Sequence, residues 1–288
     1  MGPGANDFRK VSRGQRSGKG RTGPVTLAIE RSGDVIRLRM SSVGSRAAGL
    51  DVSAYVLRGV MIDTGFPRVH AELLDAVRSI GVRGAIVTHW HEDHAGNVPM
   101  LAAEGIPIIA RDDTLAMLRA HPAIRLYRRM TWGSPSTLAS TPAAFDAGEF
   151  ECIHTPGHSS DHQIVWDPVT ATLFSGDLWL GVRARILHAT EDPYRIVESL
   201  RAVRGLSPAR MFDAHRGEVA HPPQALDAKI AWLGETLATV EERIRAGWPD
   251  REIVHRVLGG EERAAYVSRG EYSRRNLVRA ARRHLQAR

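Results

Sequence analysis

The chain has 288 residues, 43% of them hydrophobic and 25% charged, which is the composition of a globular protein with a full hydrophobic core. Its single cysteine, Cys152, excludes a framework of internal disulfides and is typical of a reducing cytosol. No apolar run approaches the length of a membrane span, and the first residues do not resemble a signal sequence. We therefore expect a cytoplasmic protein that does not enter a membrane.

The net charge of +7 is unevenly distributed along the chain. Residues 1–24 carry six cations and one acid, and residues 274–288 carry six arginines and no acid, which leaves a net charge of −4 for residues 25–273. Residues 1–24 are also rich in Gly, Arg and Ser without apolar periodicity, which predicts a disordered basic arm. Basic ends can attract nucleic acid, although a solvated tail and a solvated helix face explain the same charges.

Between these ends, predicted strands alternate with predicted helices. Strands are predicted at residues 25–29, 35–40, 54–57, 60–62, 85–87, 106–110, 150–154, 164–166, 172–174 and 211–214. Helices are predicted at residues 67–80, 95–103 and 112–120, and the less regular segment 122–141 is interpreted as a loop that could cover a site. Strands mixed with helices in this order predict an α/β protein in which helices cover the sheets.

The predicted secondary structure changes at Pro222. From there on, helices are predicted at about 223–246, 249–258 and 272–286, with breaks at Gly247 and at Gly259-Gly260. We therefore divide the chain into a main domain at residues 25–221 and a helical C-terminal extension at residues 222–288. The extension is expected to be a cap, a contact in a homodimer or a small nucleic-acid module.

The most specific motif is His89-Trp90-His91-Glu92-Asp93-His94, which follows the predicted strand at residues 85–87. Imidazole and carboxylate groups suit zinc, and also iron or manganese, without any thiolate. So many potential ligands in six residues are hard to explain as core packing, because buried charged groups need partners. The motif therefore predicts a metal site at the end of a strand.

Three further residues, His158, Asp177 and His215, also come at or just after the ends of predicted strands. Each has a Gly or a Pro close beside it, so the backbone can turn sharply and direct the side chain outward. A centre with two metals needs more ligands than the motif alone provides. These three residues are the best candidates to complete it.

With these residues in this order, the chain resembles the metallo-β-lactamase-fold hydrolases. The HxHxDH motif and the three later residues supply the seven ligands of that family, which here are His89, His91, Asp93, His94, His158, Asp177 and His215. The resemblance covers roughly residues 25–220 and implies that residues 25–221 form a metallo-β-lactamase-like catalytic domain. The implied fold is an αββα four-layer sandwich of two mixed sheets, followed here by the helical extension. The implied cofactor is a pair of Zn²⁺ ions per chain, with iron and manganese as alternatives.

The resemblance also implies a role for each ligand. The first metal would be bound by His89, His91 and His158. The second would be bound by Asp93, His94 and His215, while Asp177 would bridge both. Asp63 matches the aspartate with which the family supports the turn that carries its ligands.

These roles are chemically consistent with hydrolysis. Three neutral imidazoles leave the first metal its full charge and an open position, so its bound water would have a pKa of about 7. A hydroxide held between two metals is a nucleophile available at neutral pH. Asp93 could accept its proton during attack, and Asp177 would hold the two metals together. No nucleophilic serine or cysteine is required.

Two positions separate this chain from parts of the family. The family often has Pro-Gly-His-Gly around its last histidine, whereas this chain has Asp213-Ala214-His215-Arg216-Gly217, which places Arg216 at the rim of the site. His91 stands where the flavodiiron oxygen reductases have a glutamate, which argues against that branch.

The predicted reaction is cleavage of an ester, thioester or lactone of a small molecule or an acyl carrier, because the chain is similar to the lactamase-beta-like and glyoxalase II-like branches. The alternative is a metal-dependent endoribonuclease or phosphodiesterase, helped by the basic ends. An iron redox enzyme and a non-catalytic scaffold are the other classes considered.

Four further residues are candidates to support the ligands or to contact substrate. His162 could orient a ligand, and Trp179 could contact an acyl chain, although core packing explains Trp179 equally well. Arg183 and Arg185 could bind a carboxylate or the phosphate of pantetheine, although they could also be exposed loop charges.

Overall fold

The structure is a computed structural model that describes residues 25–288, so the predicted basic arm at residues 1–24 lies outside the described residues. The strands are β1 (Val25–Ser32), β2 (Val35–Ser42), β3 (Val52–Leu57), β4 (Val60–Ile62), β5 (Gly84–Ile86), β6 (Ile108–Ile109), β7 (Glu151–His154), β8 (Gln163–Asp167), β9 (Thr172–Phe174), β10 (Leu187–His188), β11 (Arg210–Asp213), β12 (Gly217–Glu218) and β13 (Tyr272–Ser273). The helices are α1 (Val43–Ala48), α2 (His70–Ile80), α3 (Val98–Ala103), α4 (Asp112–Arg119), α5 (Leu126–Trp132), α6 (Pro193–Gly205), α7 (Pro222–Arg245), α8 (Asp250–Arg256), α9 (Arg263–Val267) and α10 (Arg274–Gln286).

Two mixed sheets form the centre of the fold. The first has the strand order β1-β2-β3-β4-β5-β6, in which β1 to β4 pair antiparallel and β4, β5 and β6 pair parallel. The second has the order β12-β11-β9-β8-β7, in which only β9 and β11 pair parallel. A small third pair joins β10 to β13 and so connects the C-terminal extension to the main domain.

Alternating side chains along each strand build separate core layers. On β3, Tyr55 and Leu57 pack between the two sheets, whereas Val56 packs on the outer side of the first sheet. On β11, Phe212 faces the first sheet and Met211 faces outward. This follows from the two-residue period of a strand, which places successive side chains on opposite faces.

The layer between the sheets is centred on three aromatic rings. The Tyr55 ring lies 5.5 Å from the Phe174 ring and 5.2 Å from the Phe212 ring, measured between centroids. Both distances are in the range in which aromatic pairs attract each other beyond simple burial. The rings therefore join the two sheets face to face.

Helices cover both outer faces. Apolar side chains of α2, α3 and α4 pack on the first sheet, and those of α6, α7, α8 and α10 pack on the second. On α2 the buried residues are Leu73, Ala76 and Val77, which is the spacing of one helix face. The predicted αββα sandwich with a helical C-terminal extension is therefore confirmed.

The C-terminal extension does not stand apart from the second sheet. Leu226, Leu233 and Leu237 of α7 lie in the same hydrophobic core as Leu173 of β9 and Met211 of β11. The predicted division of the chain at residue 222 stays a prediction, but the two parts share one core.

Four helices of the structure, α1, α5, α6 and α9, were not predicted from the sequence. The segment 122–141, interpreted as a loop, contains α5, because Trp132 packs on Phe66 with ring centroids 5.2 Å apart and draws the segment into the core. Helix α6 was not predicted, although Asp192 caps its first turn and Pro193 occupies its first position. Among the described residues, none of the helices is both long and apolar enough to cross a membrane.

Candidate metal centre

The seven predicted ligands converge at one edge of the sandwich. Residues 89–94, which we call the ligand turn, follow β5 of the first sheet. His158, Asp177 and His215 come from three loops after β7, β9 and β11 of the second sheet, which we call the ligand loops. Because β9 and β11 run parallel, the carboxyl ends of these two strands meet at the same edge.

Three imidazoles form the first group. His91 Nδ1 lies 3.0 Å from His89 Nε2 and 3.0 Å from His158 Nε2. All three side chains are buried, and their facing nitrogens are close enough to contact one ion. This is the group predicted to bind the first metal.

Asp93, His94 and His215 form the second group. Asp93 Oδ2 lies 3.8 Å from His94 Nε2 and 3.9 Å from His215 Nε2. The three facing atoms lie within 4.8 Å of one another. This is the group predicted to bind the second metal.

The Asp177 carboxylate lies between the two groups. Its Oδ2 is 3.3 Å from His158 Nε2, and its Oδ1 is 3.3 Å from His94 Nε2 and 3.2 Å from His215 Nε2. One oxygen therefore faces each group. A carboxylate that bridges two metals has this arrangement.

Asp63 supports the ligand turn from the end of β4. Its carboxylate accepts hydrogen bonds from the Thr88 backbone N–H at 2.7 Å, from the Thr88 hydroxyl at 2.9 Å and from His94 Nδ1 at 2.8 Å. Because the Thr88 hydroxyl donates to Asp63, His89 Nδ1 can donate to Thr88 Oγ1 at 3.0 Å. Both imidazoles then present a free Nε2 toward the centre, as metal ligation requires.

Other groups hold the imidazoles of the ligand loops. His215 Nδ1 donates to the Asp51 carbonyl at 2.8 Å, and Glu191 Oε1 lies 2.8 Å from His158 Nδ1. Sequence reasoning missed Glu191, because it belongs to the segment before the unpredicted helix α6 and no local pattern relates it to His158. It also missed Asp161, which accepts from the Trp90 backbone N–H at 2.8 Å and so connects the loop of His158 to the ligand turn.

His162 positions Asp177. Its Nε2 accepts a hydrogen bond from the Asp177 backbone N–H at 3.1 Å, and its Nδ1 lies 2.9 Å from Thr155 Oγ1. Burial, with the neighbouring His158, lowers the pKa of His162 to about 3, so the ring is neutral and can accept at Nε2.

Without metal, the imidazoles fall into two electrostatic classes. Burial lowers the pKa of His89 and His91 well below the ordinary histidine value. Burial acts in the same direction on His215, but Asp177 and Asp93 outweigh it and raise the pKa to about 9. His94 and His158 follow His215, with their pKa values raised mainly by Asp177 against the effect of burial.

The neighbouring imidazoles also shift the pKa of the Asp177 carboxylate. The imidazoles of His94, His215 and His158 hold the pKa of Asp177 well below its usual range, although burial opposes this. Asp177 is therefore an anion that favours positive charge in the groups beside it.

The donor set fits a divalent cation. His94 Nε2 and Asp177 Oδ1 are both buried, and neither has a well-directed hydrogen-bond partner among the described residues. Leaving buried polar atoms unpaired is unfavourable, and a metal between the two groups would satisfy both. Imidazole nitrogens and carboxylate oxygens are ligands that zinc accepts.

The other predicted substrate residues lie outside this cluster. Trp179 is buried in the outer core of the second sheet, and its Nε1 donates to the Ala225 carbonyl at 3.4 Å. Arg183 is exposed, whereas Arg185 is partly buried and donates to the Leu258 carbonyl at 3.3 Å. Both arginines line a cavity of about 500 Å³ close to the loop of Asp177.

A buried ion pair fixes the one acid of the ligand turn that is not a predicted ligand. Glu92 accepts two hydrogen bonds from Arg128 of α5, at 2.6 and 2.5 Å, and both side chains are buried. The other arm of Arg128 lies 3.5 Å from Glu271, in the C-terminal extension. These contacts join α5 to the ligand turn and to the C-terminal extension, and sequence reasoning did not anticipate them.

Comparison with known proteins agrees with this architecture. The family model described as the metallo-beta-lactamase superfamily matches residues 47–215. The "Beta-lactamase-like protein 2 homolog" of Caenorhabditis elegans is 26% identical over 202 residues, which are 62% of this chain and 62% of that protein. The chain thus spans less than two thirds of the length of this relative.

Two further comparisons extend this result. The "Atrochrysone carboxyl ACP thioesterase" of Emericella nidulans is 27% identical over 206 residues, covering 67% of this chain and 60% of that protein. A metallo-beta-lactamase family protein from Thermus thermophilus has the same fold, with a TM-score of 0.57, 15% identity and coverage of 92% of this chain and 93% of that one. Because the family model matches more than half of its residues, the chain belongs to the metallo-beta-lactamase superfamily.

Proposed function

We propose that this protein is a dinuclear, zinc-dependent hydrolase that cleaves an ester, a thioester or a lactone of a small molecule or an acyl carrier. The observation that supports two metals is the position of Asp177, with one carboxylate oxygen toward His158 and the other toward His94 and His215. A site for a single ion would not need a carboxylate that faces two groups of imidazoles.

The side chains of the centre would have different roles in hydrolysis. When bound, the metals would supply Lewis acidity and lower the pKa of coordinated water. His89, His91 and His158 would hold one ion, and Asp93, His94 and His215 the other. Asp93 would receive the proton released during attack, because its carboxylate faces the centre and is slightly exposed to solvent. Asp63 and His162 would keep His94 and Asp177 in place.

An acyl substrate has more support than a phosphodiester. One relative is named as a thioesterase that acts on an acyl carrier protein. The basic arm invoked for nucleic acid lies outside the described residues. Of the five arginines in α10, Arg282 donates to Asp250 and is engaged within the extension.

The test is a panel of acyl thioesters, esters and lactones, assayed on purified protein whose metal content has been measured. We expect about two zinc ions per chain and turnover that is lost with a chelator and restored by zinc. A matched Asp177→Asn variant should retain its fold and lose at least about a hundredfold in activity, which is about 2.7 kcal/mol, because the amide would no longer offer an anionic oxygen to each group. Cleavage of RNA without cleavage of any acyl compound would contradict the proposal.

A further inference from the structure

The cavity close to the loop of Asp177 is lined by ten residues, of which four are arginines. Its volume is about 500 Å³. We call it the arginine pocket, and its lining consists of residues 180–186 together with Arg216, Glu262 and Arg274. Part of this lining follows the predicted ligands closely along the chain, because Leu180 comes three residues after Asp177 and Arg216 comes directly after His215. A ligand in this pocket would therefore lie next to the ligand loops.

The wall formed by residues 180–186 is held in place by the C-terminal extension. Lys229 of α7 is buried and donates to the Trp179 carbonyl and, at 3.1 Å, to the Gly181 carbonyl. The chain turns sharply there, with positive φ angles of 48° at Leu180 and 91° at Gly181. An added Cβ at Gly181 would lie 3.2 Å from Arg216 Cζ, so the guanidinium packs directly over this turn. These contacts fix the shape of this wall of the pocket.

Positive charge in the pocket exceeds negative charge. Four arginines, Arg183, Arg185, Arg216 and Arg274, share the lining with one acid, Glu262. Arg274 already pairs with Glu262. Among the described residues, Arg183 and Arg216 form no ion pair, so their charges are uncompensated.

Two of the arginines approach each other closely. Arg185 and Arg274 both donate to the Leu258 carbonyl. Burial lowers the pKa of Arg274, and the nearby charge of Arg185 lowers it further. The buried Nε of Arg274 has no hydrogen-bond partner among the described residues. Glu262 pairs with Arg274 but not with Arg185, so a bound anion would relieve the remaining repulsion between the two guanidinium groups.

We propose that the arginine pocket binds the phosphate of a phosphopantetheine arm, the group that carries acyl thioesters both on acyl carrier proteins and in coenzyme A. Guanidinium groups match phosphate because their planar forks donate paired hydrogen bonds to its oxygens. The thioester sits at the opposite end of the arm from the phosphate. An anion pocket beside the metal centre, rather than within it, suits such a substrate.

This inference rests on the proposed function for its choice of substrate, but binding can be measured without turnover. Isothermal titration of the zinc-loaded protein would compare phosphopantetheine with pantetheine, which lacks the phosphate. We expect phosphopantetheine to bind at least about tenfold more tightly, because its phosphate would accept charge-assisted hydrogen bonds from the arginines. The difference should shrink as salt is added.

A double variant identifies the residues responsible. In Arg183→Gln/Arg216→Gln, the preference for phosphopantetheine should fall toward equal affinity for both compounds. The matched control is Arg31→Gln/Arg201→Gln, which removes two exposed arginines that lie outside the pocket. The control should keep the wild-type preference, and melting curves should verify that both variants are folded.

Further arms distinguish the source of the phosphate and separate the two proposals. Tighter binding of coenzyme A than of a holo carrier protein would assign the pocket to coenzyme A, and the reverse order would assign it to a carrier. Equal binding of pantetheine and phosphopantetheine by the wild type would overturn the inference, even if acyl thioesters are cleaved. The inference would also be overturned if RNA displaced bound phosphopantetheine while coenzyme A and a holo carrier protein did not. Phosphate-dependent binding without any acyl turnover would support the pocket and contradict the proposed hydrolase.

Discussion

The ligand turn and the ligand loops reach the same point of the molecule in different ways. The ligand turn presents four predicted ligands within six residues, and its main support, Asp63, comes from the neighbouring parallel strand β4. The ligand loops present one ligand each, and their supports come from distant segments, such as Glu191 beside His158 and Asp51 beside His215. The ligand turn therefore supplies its four ligands from one short segment, whereas the ligands of the ligand loops meet only through the packing of whole layers.

The largest effect that we predict concerns the ion pair that connects the ligand turn to α5 and the extension. Arg128→Met leaves the Glu92 carboxylate buried without its partner, which should lower the free energy of unfolding by about 3–5 kcal/mol. Urea unfolding measures this loss.

Matched variants separate the pair from its surroundings. Arg129→Met, which changes an exposed residue of the same helix, should stay within about 0.5 kcal/mol of the wild type. The double variant Arg128→Met/Glu92→Leu should lose less than Arg128→Met alone, because no charge is left buried. An equal or greater loss in the double variant would show that the pair does not act as described.

Metal affinity offers a direct comparison of local and distant support. Asp63→Ala removes three contacts of the ligand turn and should weaken zinc binding by about 10- to 100-fold. Glu191→Ala removes one contact to His158 and should weaken zinc binding less. Competition with a chromophoric chelator provides both values.

Asp75→Ala is the control for these two variants, because Asp75 is an exposed residue of α2. Its zinc affinity should equal that of the wild type. A larger loss in Glu191→Ala than in Asp63→Ala would reverse our ranking of the two halves.

The smallest predicted effect concerns pH and Lys229, which holds the loop after Asp177. Burial lowers the pKa of Lys229 from 10.5 to about 8 in the folded protein. Between these values the unfolded chain binds more protons than the folded one, so this residue makes the free energy of unfolding rise with pH.

Urea titrations of the wild type and of Lys229→Met from pH 7 to 10.5 isolate this contribution, since all other groups are common to both proteins. The wild type should gain stability relative to the variant as the pH rises through this window. A difference between the two proteins that does not change with pH would contradict the assignment of a buried, charged Lys229.

The sequence alone determined the elements whose patterns are local. Strands β4 and β9 have the predicted bounds, and the ligand turn follows a buried strand as expected, because alternation and sharp turns are visible in a few neighbouring residues. The order of seven ligands, through its resemblance to a known family, also predicted the αββα sandwich. Helix α6 was not predicted although Asp192-Pro193 marks its start, so the sequence contained a signal that the interpretation did not use.

Only the tertiary structure decided which distant residues surround the centre. Glu191 lies far from His158 in the chain, Arg128 lies far from Glu92, and Arg216 and Arg274 lie far from the neighbouring Arg183 and Arg185, with no local pattern that relates them. These residues come into contact only when the second sheet, α5 and the extension pack together. The burial of apolar side chains drives that packing and so determines where the polar groups lie. Charges so brought together must find partners when water is excluded, which is why the structure, rather than the sequence, reveals these pairs.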